Sequence, residues 1–216
     1  MCYCGLVVAA DLELLDRWCA GDKQAGNDLF QRYFNSIYQF FESKVTGDVD
    51  ELVQRTFLAC VKSRDAFRRQ CTFRTYLFTL ARNELYRYLR GRHRTDLAVD
   101  FGVTSLADIQ TTPATRVARS RDHKRLLRAL RTLPLDLQLL LELHYWEGMA
   151  SAELASVFDI AQTTARTRLF RARSALRERM QVLANEPRLT SMTVEDLDEW
   201  ARSLRIQLSA QRNLGQ

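Results

Sequence analysis

Apolar residues recur at intervals of three and four along nearly the whole chain, and only three prolines and eight glycines interrupt them. That period predicts an all-α protein. A short first helix runs from a capping Asp11 to Ala20, with Leu12, Leu15, Trp18 and Cys19 on one face, and Gly21-Asp22 ends it. The next helix is longer, and its Leu29, Phe30, Tyr33, Phe34, Ile37, Tyr38 and Phe41 make a wide aromatic stripe, read as core rather than as a base-stacking platform. After a break at Thr46-Gly-Asp48, a third helix to about Arg64 buries Val49, Leu52, Val53, Phe57 and Val61. It shows Asp50, Glu51 and Gln54 on its polar side. A basic loop from Asp65 to Thr72 leads to a fourth helix, Phe73 to Arg90, buried through Leu77, Leu80, Ala81, Leu85 and Leu89.

The period then fails. Residues 95–119 are small and polar, with Gly102 and Pro113, and read as a flexible linker that carries at most a short ordered turn near Phe101 to Leu106. A second helical unit spans 120–183. Leu133-Pro134 opens a strongly apolar helix, Leu137 to Tyr145, and Glu147-Gly148 turns the chain into the most informative stretch, Leu154 to Arg173. This is a short apolar helix, a tight turn at Asp159, and a second helix carrying Arg166, Arg168, Arg171 and Arg173. Leu154, Ala155, Phe158, Ile160, Ala165, Leu169 and Ala172 supply a small core between them. A helix-turn-helix of this kind offers its second helix to the DNA major groove, where arginine forks fit guanine edges and phosphates. In the last segment, 184–216, Thr193 and Asp196 form a capping-box pattern and Leu197, Trp200, Ala201, Leu204 and Leu208 share a face, giving an amphipathic helix that must dock on its own chain or a partner.

Charge sharpens the picture. The 216 residues carry a net +6 and a pI near 9.3, which favours polyanionic partners. Residues 1–95 and 121–181 each hold four more basic than acidic side chains, so the excess sits in two separate units. Five cysteines form no disulfide framework, and Cys60 reads as a small buried hydrophobe. Cys2 and Cys4 lack a second pair, and His93, His123 and His144 are scattered, so neither metal nor cofactor is expected. No run reaches membrane-spanning length, and a reducing cytoplasm is the expected home. No carboxylate cluster, Ser/His/Asp or Cys/His set, or Gly-rich phosphate loop gathers at recognisable spacing, which argues against an enzyme.

Several spaced motifs resemble those of a known family. They are Gly21-Asp22-x-x-Ala25 with Leu29-Phe30-x-Arg32-Tyr33, and Gly47-Asp48-x-Asp50-Glu51-Leu52-Val53-Gln54-x-Thr56-Phe57-Leu58. Phe73-Arg74-Thr75-Tyr76-Leu77, Ala81-Arg82-Asn83 and Leu89-Arg90 follow. Leu133-Pro134, Glu147-Gly148, Glu153-Leu154-Ala155 and Thr164-x-Arg166-Thr167-Arg168-Leu169-x-Arg171-Ala172-Arg173 complete the series. In this order the chain resembles bacterial RNA polymerase sigma factors of the small extracytoplasmic-function group.

The resemblance implies a sigma domain 2 over 1–94, a linker over 95–119, a sigma domain 4 over 120–183 and an extension over 184–216 that the family pattern does not explain. It implies promoter-specific initiation by a borrowed catalyst. Its partners would be promoter DNA and core RNA polymerase, through the clamp helices of the largest subunit and the flap, with an anti-sigma protein left open. By the same resemblance Asp50, Glu51 and Gln54 face the clamp helices. The Arg64–Thr72 loop receives a flipped base of the minus-ten element, with Phe67, Arg68, Arg69 and Arg74 around it, and Arg82 and Asn83 touch the separating strand. Arg166, Thr167, Phe170 and Arg171 would read the minus-thirty-five duplex, while Arg168 and Arg173 take phosphates or an internal ion pair. The sequence departs from the family's pattern at Arg55 (usually an acid), Arg87 (aspartate), Tyr76 (tryptophan), Asp159 (glycine) and Ala161 (serine). A polymerase-independent regulator would also explain the helix-turn-helix, but not the acidic face at Asp50 or the basic loop.

Overall fold

A computed structural model describes residues 3–92, 100–109 and 121–183. Cys2, the side chains of Cys4 and His123, His93, the linker outside 100–109 and the tail helix from Thr193 lie outside the described residues. The chain divides into two compact units, Met1–Arg94 with Ser156–Phe158, and Thr95–Ala155 with Asp159–Gln216. Among the described residues, regular structure is helical throughout apart from one isolated β-bridge.

The first unit holds α1 (Tyr3–Cys19), α2 (Lys23–Glu42), α3 (Val49–Ser63) and α4 (Phe73–Arg92). Gly21 turns the chain at φ 104°, and Asp22 caps α2. Its Oδ1 accepts from the N–H groups of Gln24 and Ala25 at 3.0 and 3.2 Å, satisfying donors that a helix start leaves open. Arg17 donates to the other oxygen at 2.7 Å. That bond first, then the cap itself, holds the carboxyl below the ordinary aspartate range. Trp18 lies so close to α2 that a Cβ at Gly26 would stand 2.6 Å from its indole Nε1, so the α1–α2 contact requires a glycine at position 26.

Asp11 is not the helix cap that its place in the sequence suggests. α1 begins at Tyr3, and Asp11 lies in its middle, 2% exposed. Its carboxylate accepts from the Tyr33 hydroxyl and is ion-paired with Arg32. A buried carboxylate is tolerated only when paired in this way. Burial first, and then the bond to Asp11, make Tyr33 harder to ionise than a free tyrosine. Around this pair Leu15, Leu29, Ile37, Phe41, Phe73, Leu77, Phe78 and Leu85 form the core; Leu80 is only half-buried. Cys60 is buried as expected, and burial pushes its thiol up to about 12; Cys19 is exposed. The aromatic stripe is not all core. Phe34 remains 46% exposed, with Leu58 and Val61 of α3 exposed as well, because the stripe is wider than the face its neighbouring helices cover.

The second unit holds α5 (Leu106–Ile109), α6 (Arg121–Arg131), α7 (Leu135–Tyr145), residues 151–155 of α8 (Ser151–Phe158) and α9 (Gln162–Leu183). α7 is its centre: Leu135, Leu139, Leu140, Leu141, Leu143 and Tyr145 are all buried. Pro134 offers no side-chain cap, so α7 borrows one. Leu135 N–H donates to the Thr104 carbonyl at 3.0 Å and Asp136 N–H to that of Phe101 at 3.1 Å, while Ser105 and Pro134 form the isolated bridge. Phe101 and Leu106, which the sequence places in the linker, are buried in this unit. Between α8 and α9, Asp159 stands at φ 53°, ψ 52°, the left-handed turn that the sequence requires, at a cost of about 1–2 kcal/mol for a residue with a Cβ. Ile160 N–H closes that turn onto the Ala155 carbonyl at 3.0 Å. Leu154, Ala155, Ala165, Leu169 and Ala172 are buried as the motif's core.

Candidate nucleic-acid interface

On α9 the four arginines separate by exposure and by what they touch. Arg166, Thr167, Phe170 and Arg171 are all exposed, and their spacing of one, four and five residues puts them on one face. Phe170 is 62% exposed and adds an apolar ring to this face. Arg166 Nε donates to Ser151 Oγ at 3.4 Å, and Thr167 Oγ1 donates back to the Thr163 carbonyl at 3.1 Å. The other two arginines turn inward. Arg168 stands 3.9 Å from Asp136. Arg173 donates to the Tyr145 hydroxyl at 2.9 Å and to His144 Nε2 at 3.0 Å. An accepting Nε2 puts the ring proton on Nδ1, which then donates to the Met149 carbonyl at 2.9 Å.

In the first unit the loop between α3 and α4 begins with a 3₁₀ turn, Arg64–Ala66. Phe67 stacks on Tyr76, centroids 4.5 Å apart, so the ring packs within the loop. The Tyr76 hydroxyl shares a 2.5 Å hydrogen bond with Ser63, and burial makes that hydroxyl harder to ionise. The tyrosine therefore ties the loop to α3 where the family usually has tryptophan. Thr72 caps α4 by accepting from Thr75 N–H at 3.1 Å. Arg68 is exposed and Arg74 half-buried. Arg69 adopts φ 57° and forms an ion pair with Asp16 on α1. Further along α4, Arg82 donates to Asn83 at 3.1 Å and lies over Tyr86. Arg87 donates to the buried Glu84 carboxylate at 2.5 Å, which accounts for an arginine at that position.

Asp50, Glu51 and Gln54 are exposed on α3. Arg55 is spent on its own helix, donating to Glu51 one turn back at 2.5 Å, so the charge reversal there is answered locally. Asp50 and Gln54 also rim an open apolar groove between α2 and α3, floored by Phe30, Phe34, Val53, Phe57 and Leu58. The sequence reading took Phe34 and Phe57 as core and missed this groove; the excess width of the aromatic stripe was the available signal. It also missed Asp16, which no local pattern marks. Among the described residues, no three His, Cys, Asp or Glu side chains gather as metal ligands.

The family model for Sigma-70 region 2 matches residues 21–95, and that for Sigma-70 region 4 matches residues 123–176. The ECF RNA polymerase sigma-E factor of Haemophilus influenzae is 30% identical over 183 residues, 80% of this chain and 96% of that protein. That of Escherichia coli K12 is 28% identical over 182 residues, 80% and 95% of the two chains. Among solved structures, the sigma factor RpoE in complex with the anti-sigma factor NepR from Bartonella quintana has a TM-score of 0.54 at 25% identity, covering 72% of this chain and 98% of that one. CnrH in complex with the cytosolic domain of CnrY has a TM-score of 0.60 at 22% identity, covering 81% and 99%, and shares the fold.

Proposed function

The chain belongs to the extracytoplasmic-function RNA polymerase sigma factors, and on that footing we propose how its surfaces divide the work. As a sigma factor it binds core RNA polymerase and directs initiation at particular promoters. Within it, the first unit grips the polymerase and opens the minus-ten element, and the second reads the minus-thirty-five duplex. The observation that carries this reading is the partition of α9: Arg166, Thr167, Phe170 and Arg171 outward, Arg168 and Arg173 turned to Asp136 and to Tyr145 with His144. Arginine forks suit guanine edges, and an exposed ring suits a thymine methyl. In the loop, Phe67 and the cations Arg68 and Arg74 surround the site for an unstacked base, Arg69 being tied to α1, and Arg82 with Asn83 meets the separating strand.

Asp50, Glu51 and Gln54, with the apolar groove beside them, face the basic clamp helices of the polymerase's largest subunit, and the second unit meets its flap. An anti-sigma protein is a further proposed partner, by likeness to the RpoE–NepR complex. Sigma factors are initiation factors, and we assign this chain no chemistry and no cofactor of its own. No described helix is long and apolar enough to cross a membrane; we place the protein in the cytoplasm, where the polymerase works. Run-off transcription with purified core polymerase on genomic fragments tests the whole reading. Discrete transcripts that depend on this chain are expected, with Glu51→Arg losing them through failed assembly while the purified protein stays folded. A chain that bound DNA alone and gave no transcripts would be a polymerase-independent regulator.

A further inference from the structure

Two described residues other than glycine occupy the left-handed backbone region, Asp159 and Arg69. Asp159 has an evident reason: it is the turn of the helix-turn-helix, closed by the hydrogen bond from Ile160 N–H to the carbonyl of buried Ala155. Arg69 has no such setting. It lies in an exposed stretch, with Arg68 and Gln70 exposed on either side, and arginine gains nothing from this conformation by itself. A strained backbone persists where something else over-determines it. What reaches Arg69 is Asp16, 53 positions earlier on α1, through an ion pair between two half-exposed side chains.

We propose that Asp16 is a positioning residue for strand capture, holding Arg69 in its strained turn and thereby presetting the 64–72 loop before DNA arrives. The loop's other end is already fixed, by Phe67 stacked on Tyr76 and Tyr76 bonded to Ser63. Between that anchor and the Thr72 cap of α4, the Asp16 tether sets the course of the exposed backbone. A preset loop has less ordering to do when an unstacked base enters it. The pair also neutralises Arg69, so this side chain acts through loop shape and leaves phosphate contact to its neighbours. α1 thus contributes to promoter opening without touching DNA. The inference rests on the loop's role in minus-ten recognition.

The test uses the full chain assembled with core polymerase, following strand opening by permanganate reactivity of the minus-ten thymines. Asp16→Asn should slow opening by roughly two- to fivefold, the range that an exposed ion pair can supply. Its melting temperature, holoenzyme assembly and upstream duplex binding should stay unchanged. Asp16→Glu should keep normal opening, and Asp16→Arg combined with Arg69→Asp should recover much of what either single change loses. If Asp16→Asn leaves opening unchanged, or speeds it by releasing a cation to DNA, the proposal is wrong. Phe67→Ala and Arg68→Ala in the same assay separate the two ways of failing. If they slow opening and Asp16→Asn does not, only the positioning role falls; if none of the three has an effect, the loop assignment falls and takes the proposal with it.

Discussion

The two candidate DNA surfaces are built on opposite principles. On α9 the proposed reading residues stand on a regular helix, and the left-handed residue Asp159 sits outside their exposed face, in the turn before it. In the 64–72 loop no helix sets the phase, and the left-handed residue Arg69 lies within the proposed binding surface itself. A duplex presents a rigid groove, which a rigid rod matches. A base swung out of its stack needs a concave site, and irregular backbone makes one at the cost of strain and tethers.

The comparison can be broken at several points. Asp11→Ala has the largest expected effect, since it strips the buried partner from Arg32 and Tyr33 beneath the loop's unit. A loss of about 3 kcal/mol in unfolding free energy is expected by chemical denaturation. Upstream binding by the second unit should change far less, and an equal collapse of both functions would deny that the two units act separately. Arg171→Ala comes next, weakening upstream duplex binding by about 1–3 kcal/mol and relaxing base preference there. Unchanged selectivity in a binding titration over sequence variants would remove Arg171 from the reading face.

Glycine at the two strained positions sharpens the contrast at smaller scale. Asp159→Gly should keep stability within about 1 kcal/mol and leave upstream binding unchanged, because only the turn is relaxed. Arg69→Gly relieves the same strain but deletes the tether, so opening should slow even though the backbone is easier to place. The smallest effect concerns Asp22. Its carboxyl sits below the ordinary aspartate range because of Arg17 and the α2 cap. Its contribution is therefore complete above the unfolded aspartate pKa and is lost as pH falls through the lower folded value. Thermal melts of wild type and Asp22→Asn should differ at neutral pH and converge in strong acid.

Most of the architecture was legible in the chain because helical period survives into structure. The outward quartet on α9 comes from the family resemblance, since spacing alone puts Arg173 on the face of Arg166, seven residues back; the Asp159 turn follows from its place between two apolar runs. What the pattern hid was whatever depends on a distant partner. Asp11 looks like a cap because it stands immediately ahead of the periodic run that starts at Leu12; only Arg32 and Tyr33, one helix later, make its burial possible. Phe34 looks like core because period says which face is apolar, not how much of that face another helix covers. Asp16 meets Arg69 across 53 positions, a separation at which no local rule operates.

One detail of the second unit bears on how it can be handled in isolation. The backbone of Phe101 and Thr104 furnishes the acceptors for the first donors of α7, and Leu106 fills space that would otherwise be void. A fragment of the second unit excised at residue 120 would begin with α6 and leave the central helix α7 without its borrowed cap and without Leu106 beside it. Starting the cut ahead of Asp100, some twenty residues before α6 begins, keeps both the borrowed cap and the Leu106 packing.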